Sequence, residues 1–358
     1  MSALAEIETS TDAHSGTETA EPLLVVDDLK TWFFTRDGII RAVDGLSYHL
    51  KRGETLGIVG ESGCGKSVGA LSILGLVPMP PGRIVAGSIR FRGRELVGLD
   101  EGAMRTIRGN EISVIFQEPM TSLNPIMPVG RQIAEPLMLH QGLSRRAADD
   151  RAAEMLDLVR IPEARRRLSE YPHQLSGGTR QRIMIAIALA CRPDILIADE
   201  PTTALDVTIQ AQILRLLRQL QRELKTSVIL ISHNLAVIAE SVQRVIVMYA
   251  GRKVEEAPVS QLFRRPRHPY TVGLLGSVPR IVRGAPESQT QGAKTRLAEI
   301  PGMLPALNEP VPGCAFAPRC SLATQECRSA PPPPLREQAS HHFAACWHSE
   351  RASEVAFG

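Results

Sequence analysis

Residues 55–67 read Thr-Leu-Gly-Ile-Val-Gly-Glu-Ser-Gly-Cys-Gly-Lys-Ser, and this stretch decides the fold. The apolar run at 55–59 predicts a strand, and the glycine-rich turn after it leads into an apolar helix that starts near Val68. Such a turn directs several backbone N–H groups to one point at the positive end of a helix, where a polyphosphate binds. The sequence therefore predicts an α/β fold that binds a nucleoside triphosphate at this loop.

The spacing G-x-x-x-x-G-K-S gives the residues of this loop separate roles. Its glycines let the backbone approach the phosphates without a Cβ in the way. Lys66 supplies a mobile positive charge for the outer phosphates, and the Ser67 hydroxyl can ligate the accompanying Mg²⁺. A glycine-rich turn with a solvated lysine is the alternative, and the strand and helix on either side weigh against it. The predicted nucleotide-binding residues here are Gly60, Ser62, Gly63, Cys64, Gly65, Lys66, Ser67 and Val68.

Length and composition limit the class of protein. With 358 residues the chain can form one large unit and one smaller one. The formal net charge of +3 arises from 41 basic and 38 acidic side chains, so global charge does not indicate nucleic acid as a partner. No run of eighteen apolar residues and no secretory signal is visible, which predicts a soluble, cytoplasmic protein. Residues 1–21 are polar and are expected to form a disordered tail.

Polar side chains follow three further apolar strands. Gln117 comes after residues 112–116, Asp199 and Glu200 come after 195–198, and His233 comes after 228–231. The carboxyl ends of parallel strands meet at the ligand-binding edge of an open α/β sheet. We assign Asp199 to Mg²⁺ and Glu200 to the attacking water as general base. Gln117 is assigned with Ser67 and Asp199 to the Mg²⁺ site, since it could contact the metal-bound or attacking water. His233 could contact the terminal phosphate. Taken alone, Gln117 also fits a turn residue, and His233 also fits a structural histidine.

A second candidate phosphate site lies more than a hundred residues after the first. Ser176, Gly177 and Gly178 precede a strongly apolar helix, so they are expected at its N-terminus. Alone, this pattern is typical of an ordinary serine N-cap. Its pairing with the first loop favours the functional interpretation.

The run Trp32-Phe33-Phe34 could supply a ring that stacks on a base. Neighbouring strand residues point to opposite faces, so one ring can project while others pack inward. All three could equally belong to the core. Asp37-Gly38 predicts a hairpin turn directly after this run.

Taken in order, these segments resemble the ATP-binding cassette (ABC) transporter ATPases. The resemblance spans about residues 23–255 and implies a P-loop fold with a RecA-like core sheet, an antiparallel β subdomain and a helical subdomain at about 118–180. The nucleotide-binding domain is expected at 22–260. Asp206 would complete the D-loop at 204–206, and Phe33 best matches the adenine-stacking aromatic. One departure is Thr179, where the family commonly has Gln or Met.

Three segments, 171–174, 198–208 and 267–271, resemble the peptide and nickel importer subfamily, most closely the D-type ATPase subunits of dipeptide and oligopeptide permeases. The resemblance implies ATP hydrolysis with Mg²⁺ at a composite site, where the partner's serine-tipped helix covers the nucleotide. It further implies a second homologous ATPase subunit, two transmembrane permease subunits, an extracytoplasmic peptide-binding protein and a place on the cytoplasmic face of the membrane. Relatives also carry nickel, haem or other solutes.

Two other classes of function are weighed against this one. Cassette ATPases that act on nucleic acid or ribosomes have an inserted coiled coil or a second cassette, and neither is visible here. A non-hydrolysing redox or regulatory module would not need Glu200 and His233.

Residues 261–358 form a predicted small C-terminal extension, with a flexible stretch at 280–296. It holds four of the six cysteines, Cys314, Cys320, Cys327 and Cys346, at spacings without a C-x-x-C pair. A cytoplasmic location argues against disulfides, so four thiolates in a helix-poor segment predict a metal centre. Similar tails in dipeptide permease ATPases carry a [4Fe–4S] cluster, with zinc as the alternative. His341, His342 and His348 are expected to be exposed.

Overall fold

The computed structural model describes residues 21–117, 122–202, 206–277, 300–309, 311–329 and 331–355. In these ranges the strands form one sheet of eight and one sheet of four. No helix within them combines the length and the apolarity that crossing a membrane requires. Four earlier predictions fall partly or wholly on other residues: the tail at 1–21, the segment that begins the helical subdomain after Gln117, the D-loop positions Ala204 and Leu205, and the flexible stretch at 280–296.

The large sheet has a parallel centre. Its parallel strands are β3 (Thr55–Val59), β6 (Ile112–Ile115), β7 (Ile195–Asp199), β8 (Ser227–Ser232) and β9 (Arg244–Tyr249), in the order β9-β3-β8-β7-β6. Side chains alternate between two apolar cores: Ile195 and Ile197 pack in one, and Leu196 and Ala198 in the other. Both faces are covered, as the continuous apolar runs in the sequence require.

The four-stranded sheet is antiparallel. Two of its strands come before the phosphate loop in the chain, and two come after it. It contains β1 (Leu24–Thr35), β2 (Gly38–Leu50), β4 (Gly82–Phe91) and β5 (Arg94–Glu95) in the order β2-β1-β4-β5. Thr35 pairs with Gly38, so the hairpin predicted at Asp37-Gly38 is confirmed.

Helices cover both sheet faces and form a separate layer near the middle of the chain. Their bounds are α1 Lys66–Ile73, α2 Glu101–Ile107, α3 Val129–Gln141, α4 Arg145–Leu158, α5 Ala164–Arg167, α6 Gly177–Leu189, α7 Val207–Leu224, α8 Leu235–Ser241, α9 Val259–Arg264, α10 Pro269–Gly276 and α11 Gln325–Ser329. Helices α3, α4 and α6 pack together through Ile133, Leu137, Met155 and Ile183. Their packing is consistent with a helical subdomain, while its bounds and the other domain limits stay predictions.

The C-terminal extension adds two strands to the large sheet. β11 (Arg336–Ala339) pairs with β12 (His342–Ala344), and β12 pairs with β10 (Arg252–Pro258). The helix-poor character expected around the cysteines is confirmed for the described residues between 300 and 355, whose helices are α11 and short 3₁₀ turns, while α10 lies earlier in the extension. The hydrophobic core therefore continues from the nucleotide-binding part into the extension, where Phe316 is fully buried.

The expectation that His342 is exposed is wrong. His342 is 2% exposed, and its Nε2 lies 2.7 Å from a carboxylate oxygen of Glu255, which is itself wholly buried on β10. The same carboxylate accepts the backbone N–H groups of Arg267 at 2.6 Å and His268 at 3.1 Å. A buried carboxylate needs such donors, and the histidine ring completes the set.

We expect Glu255→Ala to destabilise the chain by about 3 kcal/mol, because two backbone donors and the His342 ring would lose a buried acceptor together. Urea unfolding measures this loss. Glu354→Ala removes an exposed carboxylate paired with Arg351 and should change stability little. Equal losses of stability for the two substitutions would show that the buried hydrogen bonds of Glu255 contribute no more than an exposed ion pair.

Candidate functional site

The phosphate loop lies between strand β3 and helix α1 and is pressed against two neighbouring backbones. A Cβ at Gly60 would stand 2.3 Å from the Met248 carbonyl oxygen, and one at Gly65 would stand 2.1 Å from that of Ala42. The two glycines have φ of +155° and +98°. Only glycine fits both the space and the conformation, so the loop's course depends on these positions.

Lys66 is buried inside the curve of the loop. Its Nζ donates to the carbonyl oxygens of Gly60 at 2.8 Å and Glu61 at 2.9 Å. Carbonyls are weaker partners for an ammonium group than phosphate oxygens, because the negative charge of the phosphate adds a direct attraction between opposite charges. A triphosphate can therefore draw this ammonium group out of its loop contacts.

A cavity of about 580 Å³ opens above the loop. It brings together the loop and the residues predicted at the ends of three other strands. The lining residues are Ala42, Gly60, Glu61, Ser62, Gly63, Gly65, Lys66, Ser67, Val68, Gln117, Glu200, His233 and Leu274. The predicted convergence of Gln117, Glu200 and His233 on the phosphate loop is what the structure shows. Cys64 is wholly buried behind the loop, with its Sγ 3.9 Å from Lys66 Nζ.

Glu200 is the meeting point of the polar groups in this cavity. One of its carboxylate oxygens accepts a hydrogen bond from Gln117 Nε2 at 3.2 Å and lies 3.0 Å from His233 Nδ1. Its φ is +46°, a left-handed conformation that non-glycine residues adopt at a cost of order 1 kcal/mol. The Glu200 N–H donates to the Ile231 carbonyl of β8 at 3.0 Å, which helps to hold that conformation.

Asp199 offers an unsatisfied oxygen where Mg²⁺ is predicted. It is 8% exposed, and its Oδ1 has no hydrogen-bond partner among the described residues. Burial raises the pKa of Asp199, and the neighbouring Glu200 charge raises it further, while a hydrogen bond with Ser67 and the charge of Lys66 act in the opposite direction. Carboxylate and hydroxyl oxygens suit Mg²⁺. The oxygen atoms of Asp199 and Ser67 are therefore suitable ligands for Mg²⁺.

Five other predicted residues do not line this cavity in the part of the chain that is described. Ser176 caps α6, where its Oγ accepts the Thr179 N–H at 3.3 Å. Ser176 and Asp206 are exposed, and Gly177 and Gly178 follow Ser176 at the same helix end. Phe33 is half-buried, with its ring against Gly82.

Thr179, which stands where the family commonly has Gln or Met, contacts the serine at the start of α6. Its hydroxyl lies 2.9 Å from the Ser176 hydroxyl, so the two groups form a hydrogen bond at the exposed end of α6. A phosphate approaching Ser176 would meet a hydroxyl that already has a partner.

The sequence analysis missed two residues that hold the loop from outside. Tyr270 accepts the Glu61 N–H through its phenol oxygen at 2.7 Å, and Arg319 donates to both Glu61 carboxylate oxygens, at 2.7 and 2.9 Å. Tyr270 belongs to the segment 267–271, and Arg319 lies in the cysteine-rich part of the extension. Nothing in either pattern indicates a contact with a loop some two hundred residues earlier.

The four cysteines of the extension line one narrow pocket of about 20 Å³ together with Phe316, Trp347 and prolines. Burial raises the pKa of Cys314 and Cys320, and raises that of Cys346 to about 12. As placed, the described residues contain no group of three or more His, Cys, Asp or Glu that could hold a metal ion. The thiols share a pocket, but its volume fits about one water.

Two protein families match this chain. The family described as ABC transporter matches residues 43–203, and the one described as oligopeptide/dipeptide transporter, C-terminal region, matches 254–327. A probable peptide ABC transporter ATP-binding protein of Sinorhizobium fredii is 55% identical over 330 residues, which are 92% of this chain and 96% of that protein. The chain belongs to the ABC transporter ATPases. Members of this family hydrolyse ATP in support of transport, and so does this chain.

Two further comparisons support this ABC ATPase assignment. An oligopeptide transport ATP-binding protein of Salmonella typhimurium is 50% identical over 325 residues, 91% of this chain and 93% of that one. A solved dimeric ATP-binding cassette in a post-hydrolysis state, bound to ADP and Pi, matches with a TM-score of 0.60 at 28% identity, covering 66% of this chain and 98% of that chain. The predicted α/β P-loop fold is thereby confirmed, and ATP and Mg²⁺ are the cofactors expected of the family.

We expect Asp199→Asn to raise the melting temperature of the nucleotide-free ABC ATPase and to reduce Mg²⁺-dependent hydrolysis by about a hundredfold or more. Because burial raises the folded-state pKa of Asp199 above its unfolded value, stability falls as the pH rises from the unfolded-state pKa to the folded-state pKa, and the loss is complete above the latter. The gain should therefore be larger at about pH 8 than at about pH 4, which is close to the ordinary aspartate pKa of about 3.9. Thermal unfolding checks this, with exposed Asp157→Asn as control; a lower melting temperature at both pH values would contradict it.

Proposed function

We propose that this ABC ATPase is the ATP-hydrolysing subunit of a bacterial importer of di- or oligopeptides. One observation carries the ATPase part: Gln117, Glu200 and His233 meet over the phosphate loop in a single cavity. The cargo assignment is supported by the match of residues 254–327 to the oligopeptide/dipeptide transporter C-terminal region, and by peptide-transport relatives at about half identity. Nickel and haem stay as alternative cargoes.

The residues of the cavity divide the chemistry among them. In our proposal Lys66 and the loop N–H groups bind the phosphates, while Ser67 and Asp199 would hold Mg²⁺, which neutralises developing charge on the phosphoryl oxygens when bound. Glu200 accepts the proton of the attacking water. His233 and Gln117 orient the Glu200 carboxylate, since both already contact one of its oxygens.

We further propose that the nucleotide is covered by a second ATPase subunit. Ser176 and Gly177 are exposed, as is Val207 at the start of α7, which shows 81% of its surface. The two helix ends are neighbours, because a Cβ on Gly178 would stand 3.1 Å from the Ile209 side chain. An exposed serine-glycine helix end beside an exposed valine suits an interface with bound phosphate. The dimeric solved relative supports this arrangement.

The same proposal places the dimer on the cytoplasmic face of the membrane. Two transmembrane permease subunits would bind near Gln117 and the helical layer, within about residues 117–170, and an extracytoplasmic binding protein would deliver the peptide. Phe33 is proposed as the adenine-stacking ring and Asp206 as a contact across the dimer. Ring substitutions at Phe33 and at Phe34, which is 46% exposed, would discriminate between the two aromatics.

Glu200→Gln should leave ATP binding within about threefold of wild type and reduce turnover about 10²- to 10⁴-fold in the assembled transporter, because the amide cannot accept a proton. Nucleotide binding by the chain and phosphate release by the complex measure the two effects. Exposed Glu240→Gln is the control. Turnover unchanged by Glu200→Gln, in a complex whose other site is inactive, would refute the assigned base.

For the extension we propose a [4Fe–4S] cluster on Cys314, Cys320, Cys327 and Cys346. The support is that all four thiols border one pocket with apolar walls, while the spacing lacks the short pairs of most zinc sites. The narrow pocket would have to widen. Because burial keeps Cys346 protonated at neutral pH, metal loading must release thiol protons.

Anaerobically purified chain should show absorbance near ~400 nm and about four irons per chain. Cys346→Ser should lose both signals. Cys191→Ser, which alters a buried cysteine at the end of α6, should keep them. Zinc without iron in the wild-type chain would end this proposal and leave the ATPase assignment untouched.

A further inference from the structure

The phosphate loop is tied to the C-terminal extension by an arginine–glutamate pair. Arg319 Nη1 donates to one carboxylate oxygen of Glu61 at 2.7 Å, and Nη2 donates to the other at 2.9 Å. Glu61 is the second residue of the loop and lines the nucleotide cavity. A fork-to-fork pair of this kind fixes orientation as well as distance.

Arg319 is held by further contacts, both within the extension and with Tyr249 on β9. Its guanidinium is 6% exposed, and Nε donates to the Pro301 carbonyl at 2.8 Å while Nη2 also approaches the Ile300 carbonyl at 3.2 Å. It lies over the rings of Tyr249 at 5.9 Å and Phe316 at 6.0 Å. These contacts fix the guanidinium group independently of Glu61. The Arg319–Glu61 pair therefore holds Glu61 at a set position relative to the extension.

Glu61 is held at all three of its polar groups. Its N–H goes to the Tyr270 phenol oxygen, its side chain to Arg319, and its carbonyl oxygen accepts from Lys66 Nζ at 2.9 Å. Tyr270, Tyr249 and Phe316 form one aromatic cluster with ring centroids 4.7 to 5.4 Å apart. The position of the phosphate-binding lysine thus depends on a residue that the extension anchors.

A purely structural role, fastening the extension to the body, is the competing explanation. The extension has a separate attachment for that purpose: β12 pairs with β10, and His342 meets the buried Glu255. Neither contact touches the nucleotide cavity among the described residues. Fastening alone therefore does not require a desolvated arginine on the second residue of the phosphate loop.

We propose that Arg319 is a positioning residue for ATP binding: through Glu61 it holds the phosphate loop in its binding shape, so the extension sets nucleotide affinity. The inference rests on the ATPase function assigned above. Removal of Arg319 leaves the Glu61 carboxylate unpaired at the edge of a site for a polyanion, and frees the loop backbone that Lys66 contacts. Both effects weaken ATP binding, and neither removes a group that touches the reacting atoms.

The test measures ATP affinity of the full-length chain and the KM and kcat of the assembled transporter. Arg319→Met should weaken ATP binding about tenfold and raise KM similarly, with kcat changed less than about twofold. Arg319→Lys keeps the charge but not the fork, and should recover about half of the loss on a logarithmic scale. Glu61→Gln should lose less, and the double variant should bind no more weakly than Arg319→Met alone.

Arg328→Met is the matched control, since Arg328 is an exposed arginine directly after Cys327, as Arg319 directly precedes Cys320. It should bind ATP as the wild type does. ATP affinity unchanged in Arg319→Met, or losses that multiply in the double variant, would overturn the inference. If Arg319→Met does not fold, Glu61→Gln decides: wild-type affinity there overturns it. Wild-type chain that fails to bind ATP would instead refute the proposed function itself.

Discussion

Close backbone-to-backbone contact at the phosphate loop is the constraint on which the rest of this ABC ATPase depends. The loop runs so near the carbonyls of Met248 and Ala42 that Gly60 and Gly65 have no room for a side chain. Those carbonyls belong to the large and the small sheet, so the loop is wedged between two layers. The parallel strands around β3 then deliver Gln117, Glu200 and His233 to the same edge.

The chain keeps costly features where chemistry needs them. Asp199 is a buried carboxylate with an unpaired oxygen, and Glu200 adopts a left-handed backbone next to it. Elsewhere, buried carboxylates are satisfied, as Glu255 is by two backbone donors and His342. An unpaired buried oxygen and a left-handed backbone thus stand next to each other at the strand end where the phosphoryl group would be transferred, a combination that suits a preorganised site.

Local patterns predicted the phosphate loop and the hairpin well, because glycine spacing, turn residues and apolar runs act over a few residues. The ends of parallel strands also predicted which polar groups would meet. Contacts between distant segments could not be found this way. His342 looked solvent-exposed because its partner lies 87 residues earlier, and Arg319 meets Glu61 across 258 residues. Neither has a periodic signal.

The two strands contributed by the extension also matter for the sheet they join. β12 meets β10 at Glu255 and Glu256, so it covers the strand that would otherwise form the sheet's border. Uncovered strand borders recruit other chains through their free N–H and C=O groups. Removal of β11 and β12 by proteolysis would uncover that border, and strand-to-strand self-association between truncated molecules would follow. The C-terminal extension therefore also protects the protein from aggregation through the edge of its large sheet.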